Sequence, residues 1–263
     1  MSYSVFLLVF VVPPIMALAL LRRGPAGGAG ARARWAIPIT AAIAFVYTTP
    51  WDNYLVYRGV WGYGNGRILG TIGYVPIEEY AFFLLQPWLT GLLLYRVLER
   101  THEPNPARVE AARWWGALAF AAVTAWGAWL LAAGPGGGAT EGGATHRGLY
   151  LGLILAWAGP VMLGLWLYAG PHVWAHRRAA GLTLALSTGY LWVIDRYAIT
   201  RGIWDISRTL SFDIRPFGLP VEEAVFFLVT NVLCVLGILL FLHGDRIEPP
   251  WPRPTSRPQP PSP

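Results

Sequence analysis

Residues Pro76–Leu85 read PIEEYAFFLL, and residues Pro220–Val229 read PVEEAVFFLV. A proline, two acids and two phenylalanines recur in one order at the head of a long apolar run. Ahead of each block the match continues: Trp51–Trp61 is WDNYLVYRGVW and Ile194–Trp204 is IDRYAITRGIW. Asp52 answers to Asp195, Tyr54 to Tyr197, Arg58 to Arg201, Gly59 to Gly202 and Trp61 to Trp204 at one constant spacing. The glutamate pairs follow one residue out of step, so the intervening loop has gained a residue. An ordered series of this kind points to duplication.

The repeated blocks sit in an apolar chain. Of 263 residues, 55% are hydrophobic and 13% charged, against about 25% charged in a soluble domain. Stretches near the roughly 20 residues that cross a bilayer fall at 3–21, 36–57, 77–98, 113–133, 148–169, 178–198 and 221–243. Only helices or closed barrels satisfy their backbone in hydrocarbon, and these runs lack the period-2 alternation of a barrel strand. The sequence therefore predicts an all-α polytopic membrane protein of about seven transmembrane helices. The duplication divides it into a first repeat of three helices (1–99), a connector helix with its loops (100–147), a second three-helix repeat (148–244) and a proline-rich tail (245–263). Three helices plus one is an even number, so the two repeats run parallel, about an axis along the membrane normal.

Charge sets the expected orientation. Every one of the 20 basic residues is Arg. The loops after helices one, three and five and the tail hold Arg22, Arg23, Arg32, Arg34, Arg96, Arg100, Arg108, Arg113, Arg177, Arg178, Arg246, Arg253 and Arg257. The positive-inside rule then puts the N-terminus outside a cell membrane and the C-terminus in the cytoplasm. No basic residue precedes the first apolar run, so it reads as an uncleaved helix rather than a signal peptide. Loops 58–75 and 199–219 open outward, and the two acidic blocks face each other near the outer boundary.

A proline followed by glutamates is a good helix start without any further purpose. That accounts for Glu78 and Glu222 but calls for neither a second acid nor the phenylalanines. On a helix, residues three and four apart share a face. Glu79 therefore lies over Phe82 and Phe83, with Gln86 beyond, and Glu223 over Phe226 and Phe227, with Thr230 beyond. A carboxyl group in apolar surroundings beside a second carboxylate favours its protonated form and suits general acid chemistry. The rings below could steady a carbocation, at about 1–2 kcal/mol per ring when dry. Asp52 and Asp195 are candidates for the same chemistry or for ion pairs with Arg58, Arg196 or Arg201, and Arg58 and Arg201 are expected to orient the acids. Tyr54, Tyr197, Trp61 and Trp204 are candidates to line a substrate, while an interfacial aromatic belt is the plainer reading of Trp51, Trp61 and Trp204.

Other chemistry is excluded by what the chain lacks. Without lysine there is no Schiff base to retinal, and Gly62–Gly66 (GYGNG) follows no strand, so no dinucleotide fold is expected. No phosphate-binding loop or aspartate-rich magnesium site is present, and no basic face suits nucleic acid. Cys234 stands alone within the last helix, as a packing residue. Of His102, His146, His172, His176 and His243, only His172 and His176 share a helical spacing, and no acid lies between them, so no metal is expected. No cofactor is expected, and no fingerprint supports a flavin. Gly134–Gly143 and Pro249–Pro263 are flexible by composition. Acid–base work on an apolar substrate dissolved in the bilayer is what remains.

The duplicated PxEE block with WDNY…RGVW and IDRY…RGIW resembles the lycopene cyclase domain of the integral-membrane carotenoid cyclases. That family occurs as paired three-helix subunits, as one fused chain and within fungal bifunctional phytoene synthase–cyclases. Residues 3–243 resemble the fused form, with helix four as the join. The resemblance implies redox-neutral cyclisation of the ψ ends of lycopene or a related carotenoid to β or ε rings. It makes Glu78, Glu79, Glu222 and Glu223 the acid/base candidates and membrane lipids and other carotenoid-pathway enzymes the neighbours. Two rival readings are a carotenoid 1,2-hydratase, which traps the same cation with water, and a non-enzymatic lipid carrier, whose acids would lie deeper in its helices.

Overall fold

A computed structural model describes residues 1–21, 30–101, 110–134 and 146–244. Among these residues seven long helices form: α1 Tyr3–Leu20, α2 Gly30–Tyr57, α3 Ile77–Leu98, α4 Glu110–Ala132, α5 Leu149–Ala175, α6 Arg177–Thr200 and α7 Val221–His243. The protein is an all-α membrane protein. Five of the helices (α1, α3, α5, α7 and Ala112–Ala132 of α4) are long and apolar enough to cross a bilayer. The other two, α2 and α6, carry Asp52 and Asp195 together with arginines near their ends, which lowers their hydropathy but not their length. Residues with exposed apolar side chains, such as Leu8, Val46, Leu118, Trp129 and Val193, face outward from every part of the bundle. That surface suits lipid.

Helix boundaries depart from the sequence reading at two places. Helix α2 begins earlier, at Gly30. Helix α5 runs through Pro160 and Pro171 to Ala175, and α6 starts at Arg177, leaving only His176 (φ −89°, ψ 14°) as the corner. Proline is tolerated inside membrane helices because neighbouring groups satisfy the freed carbonyls. In α1 the hydrogen bonding slips to a π turn over Leu7–Val11, directly before Pro13 and Pro14. Tail residues 245–263 and nearly all of Gly134–Gly143 lie outside the described residues, as do Arg22, Arg23, His102, Arg108, Arg246, Arg253 and Arg257.

Close helix packing comes from small residues, as is usual in membranes. A side chain on Gly91 of α3 would strike Ile37 of α2 and Ile238 of α7, and one on Gly127 of α4 would strike the α5 backbone at Leu155 and Ala156. Through such contacts α4 packs along α5. Four short strands complete the elements: β1 Trp61–Tyr63, β2 Thr71–Ile72, β3 Val75–Pro76 and β4 Trp204–Ile206.

The two halves meet residue against counterpart. Strands β1 and β4 pair antiparallel with Trp61 opposite Ile206, Gly62 opposite Asp205 and Tyr63 opposite Trp204. Gly62 and Asp205 hold the same position in the repeat, so a local twofold axis passes between them. Gly64 explains part of the glycine run: an added Cβ would lie 2.3 Å from the Gly202 carbonyl oxygen. Deeper in the bundle, Gln86 Nε2 donates to Oγ1 of its counterpart Thr230 at 2.8 Å. Thr90 Oγ1 and Asn231 Nδ2 extend this buried network, to Asn231 Oδ1 and Thr188 Oγ1 respectively. It joins α3, α6 and α7. At the helix heads, the Tyr3 and Tyr150 amides donate to the matching loop carbonyls of Arg67 and Leu210.

Candidate active site

Each PxEE block starts its helix as the sequence implies, with Pro76 and Pro220 extended just ahead of it. Within each pair the two glutamates then diverge. Glu78 Oε1 accepts from the Leu69 amide at 2.9 Å and the Ser4 hydroxyl at 2.7 Å, and Glu222 Oε1 accepts from the Phe212 amide at 2.7 Å. Leu69 and Phe212 hold matching loop positions, so these first glutamates pin the loops to the helices. Glu79 and Glu223 point the other way, into one shared cavity.

The cavity lies between α1, α3, α6 and α7, and the β1–β4 ribbon contributes Trp61, Tyr63 and Trp204 to its wall. Glu223 Oε1 accepts from Trp61 Nε1 at 3.0 Å and from the Tyr150 hydroxyl at 2.7 Å. Trp61 belongs to the other half, so this bond crosses the interface. Glu79 Oε1 accepts from the Tyr63 hydroxyl at 3.3 Å, and the Tyr3 hydroxyl bonds the same carboxyl group. Burial, reinforced by the Glu79 charge, holds the Tyr63 hydroxyl well above the usual phenol range, so it stays a donor at neutral pH.

Asp195 also lines the cavity and accepts from Trp204 Nε1 at 2.9 Å. Its counterpart Asp52 is fully buried behind the wall, and neither of its oxygens has a hydrogen-bond partner. Asp52 interacts electrostatically with both Glu79 and Glu223. Among the described residues neither aspartate forms an ion pair with an arginine.

Aromatic rings make up the rest. Phe82, Phe226 and Phe227 line the cavity with Phe6, and Phe82 meets Phe227 across the axis at 6.1 Å, edge to face. Trp51 is not part of a belt. It stacks on Phe226 at 5.6 Å and on Trp157 at 4.6 Å, and Tyr47 continues the stack. Phe83 faces a second space, a groove among α2, α5 and α7, to which Phe226 also contributes. Thr40, Ala44 and Thr48 on α2 and Thr230, Cys234 and Gly237 on α7 make that groove by being small.

Four residues singled out in the sequence lie elsewhere. Arg58 donates to the Tyr54 hydroxyl at 2.5 Å and sits over that ring, and Arg201 sits over the Tyr197 ring. The arginines do not orient the acids, and Tyr54 and Tyr197 do not line the cavity. Their repetition reflects an Arg–Tyr pair one turn apart on the bundle surface. Conversely, the sequence reading passed over Tyr3, Tyr63 and Tyr150. Tyr3 and Tyr150 each stand the same distance ahead of a proline, Pro13 and Pro160, a signal too thin to notice without the fold. Of the histidines, His146 bonds the Leu130 carbonyl, while His172, His176 and His243 gather at the opposite end of the bundle.

Comparison with known proteins covers nearly the whole chain. It is 40% identical to a lycopene beta-cyclase of Halobacterium salinarum over 241 residues, 91% of this chain and 95% of that protein. It is 39% identical over 212 residues to a bifunctional lycopene cyclase/phytoene synthase of Pyrenophora tritici-repentis, 76% of this chain but 34% of that one. A bifunctional protein of the same name from Leptosphaeria maculans is 34% identical over 252 residues, 91% of this chain and 41% of its own length. No family model and no solved structure matches.

Proposed function

This chain belongs to the lycopene cyclase family, and we propose that it closes the ψ ends of lycopene into β rings by acid–base chemistry at the interface of its two halves. The observation that carries this reading is that Glu79 and Glu223 open into a single aromatic-walled cavity. A β rather than ε ring follows the names of the full-length relatives.

Glu79 serves as the acid and Glu223 as the base. Each carboxyl group has two donors, but those of Glu223 meet at 3.0 and 2.7 Å on one oxygen, the closer hold on a carboxylate, whereas Tyr63 stands 3.3 Å from Glu79. Glu79 delivers a proton to carbon 2 of the terminal double bond, leaving a tertiary cation at carbon 1. The double bond between carbons 5 and 6 supplies the electron pair for the new bond from carbon 1 to carbon 6, moving the cation to carbon 5. Glu223 then takes the proton from carbon 6, restoring the double bond as a β ring. Mass is unchanged and no electrons are exchanged. Proton exchange between the two carboxyl groups then restores Glu79 as the acid and Glu223 as the base. Phe82, Phe226, Phe227 and Trp204 wall the cavity, where ring faces steady the cation and the apolar lining keeps water from capturing it as an alcohol.

The polyene chain lies in the groove among α2, α5 and α7, which shares Phe226 with the cavity wall. Substrate would enter from the bilayer, and the cavity faces the outer side, with the C-terminus inside. The arginines at the far end of the bundle, Arg32, Arg34, Arg96, Arg100, Arg177 and Arg178, support that orientation.

Expression in a bacterium that accumulates lycopene tests the reading. The expected result is a pigment of unchanged mass, blue-shifted, co-eluting with a β-ring standard. A pigment heavier by one water would instead make the chain a hydratase, and unaltered lycopene with the protein in the membrane would refute both.

A further inference from the structure

Three imidazoles meet at the end of the bundle away from the glutamates. His172 and His176 lie one helical turn apart where α5 ends, and His243 is the last residue of α7. Their ring centroids stand 4.9 Å, 4.5 Å and 4.7 Å apart, and one nitrogen from each lies within 4.8 Å of the others. His172 and His176 are buried and His243 is partly so.

Such a cluster is poor packing for an apolar bundle. The rings repel one another as soon as more than one carries a proton, and leucines would fill the space at less cost. It is, however, close to a ligand set. Nitrogens around a tetrahedral zinc with Zn–N of roughly 2.0–2.1 Å stand about 3.3 Å apart, so the three imidazoles, whose nitrogens lie within 4.8 Å, would draw together on binding. His176 Nδ1 lies 2.9 Å from the His172 carbonyl oxygen. That bond places the proton on Nδ1 and leaves Nε2 as a lone pair, with the backbone carbonyl as the outer partner that metal-binding histidines ordinarily have. Among the described residues the cluster contains no carboxylate and no thiolate. Three neutral imidazoles suit zinc and its late first-row neighbours rather than calcium or magnesium.

We propose that His172, His176 and His243 bind one transition-metal ion, zinc foremost, as a structural clip. His176 is the corner between α5 and α6, so the ion would fasten α7 to both. Its fourth position would be filled by water or another small donor. The clip is remote from the cavity and does not depend on the cyclase reading.

The test uses the full chain without an affinity tag, purified in detergent. After equilibration with zinc and removal of the free ion, elemental analysis should find one zinc per chain in the wild type and none above background in His243→Gln. Cobalt added to the metal-free wild type should give the visible d–d bands of a tetrahedral site, a readout that does not depend on any variant folding. A chelator should lower the thermal midpoint of the wild type and leave that of His243→Gln unmoved. Absence of both zinc and the cobalt bands from the wild type would overturn the proposal. Equal zinc retention by His243→Gln would overturn it as well, by placing the ion elsewhere.

Discussion

Adjacent in sequence, Glu78 and Glu79 face different parts of the molecule, and the same holds for Glu222 and Glu223. The first of each pair holds a loop amide, Leu69 or Phe212; the second reaches the cavity. Replacing a first glutamate with leucine strands a buried amide, at about 1–3 kcal/mol, whereas glutamine keeps an acceptor in place. Glu222→Leu is therefore expected to lower the thermal midpoint and the amount of protein in the membrane, and Glu222→Gln to leave both near wild type. Thermal melts of the detergent-purified variants check this. Both glutamate pairs were legible in the sequence because each recurs at a helix head that one acid would have served. Tyr3, Tyr63 and Tyr150 were not, since a tyrosine at the edge of an apolar run is ordinary interfacial composition. Arg58 and Tyr54 show the opposite failure. They recur with the acids in sequence, yet pair with each other on the surface.

At the scale of elements, apolar length alone located all seven helices, because a membrane demands that length of each. The β1–β4 ribbon was out of reach of that argument: three residues a side carry no pattern, and their pairing is decided by the docking of the two halves. The groove was likewise hidden. Thr40, Ala44 and Thr48 recur every four residues on α2, but a stripe of small residues usually means close packing. Here it leaves space instead. Filling that space should obstruct the polyene without disturbing the acids. Ala44→Trp is expected to reduce turnover of lycopene by about ten-fold or more, while the protein remains folded in the membrane. Gly237→Ala is the control, since an added Cβ there would meet Thr40 at 3.6 Å, an ordinary contact. Pigment yield per unit of membrane protein measures both; normal turnover in Ala44→Trp would remove the chain from the groove.

Over the whole molecule the duplication is expressed as contacts between counterparts. Gly62 faces Asp205 in the ribbon, Gln86 bonds Thr230 in the interior, and Trp61 of one half bonds Glu223 of the other. The halves therefore build one cavity together, one bringing Glu79 to it and the other Glu223. Symmetry is nevertheless broken within it: Trp61 serves Glu223, its counterpart Trp204 serves Asp195, and Asp52 is left without a partner. Two formally equal glutamates are thereby given unequal surroundings, as the proposed division into an acid and a base requires. The repeat was legible from sequence and the asymmetry was not, because it depends on which indole reaches across the axis. The central claim is that Glu79 and Glu223 act together in one site. The most direct measurement is the pigment profile of lycopene-accumulating cells carrying Glu79→Gln or Glu223→Gln, with each protein quantified in the membrane. One shared site predicts that either substitution alone lowers all ring closure by about 10²–10⁴-fold, leaving lycopene at normal protein levels. Either variant forming rings at close to the wild-type rate, whether on one end of the carotenoid or both, would contradict it.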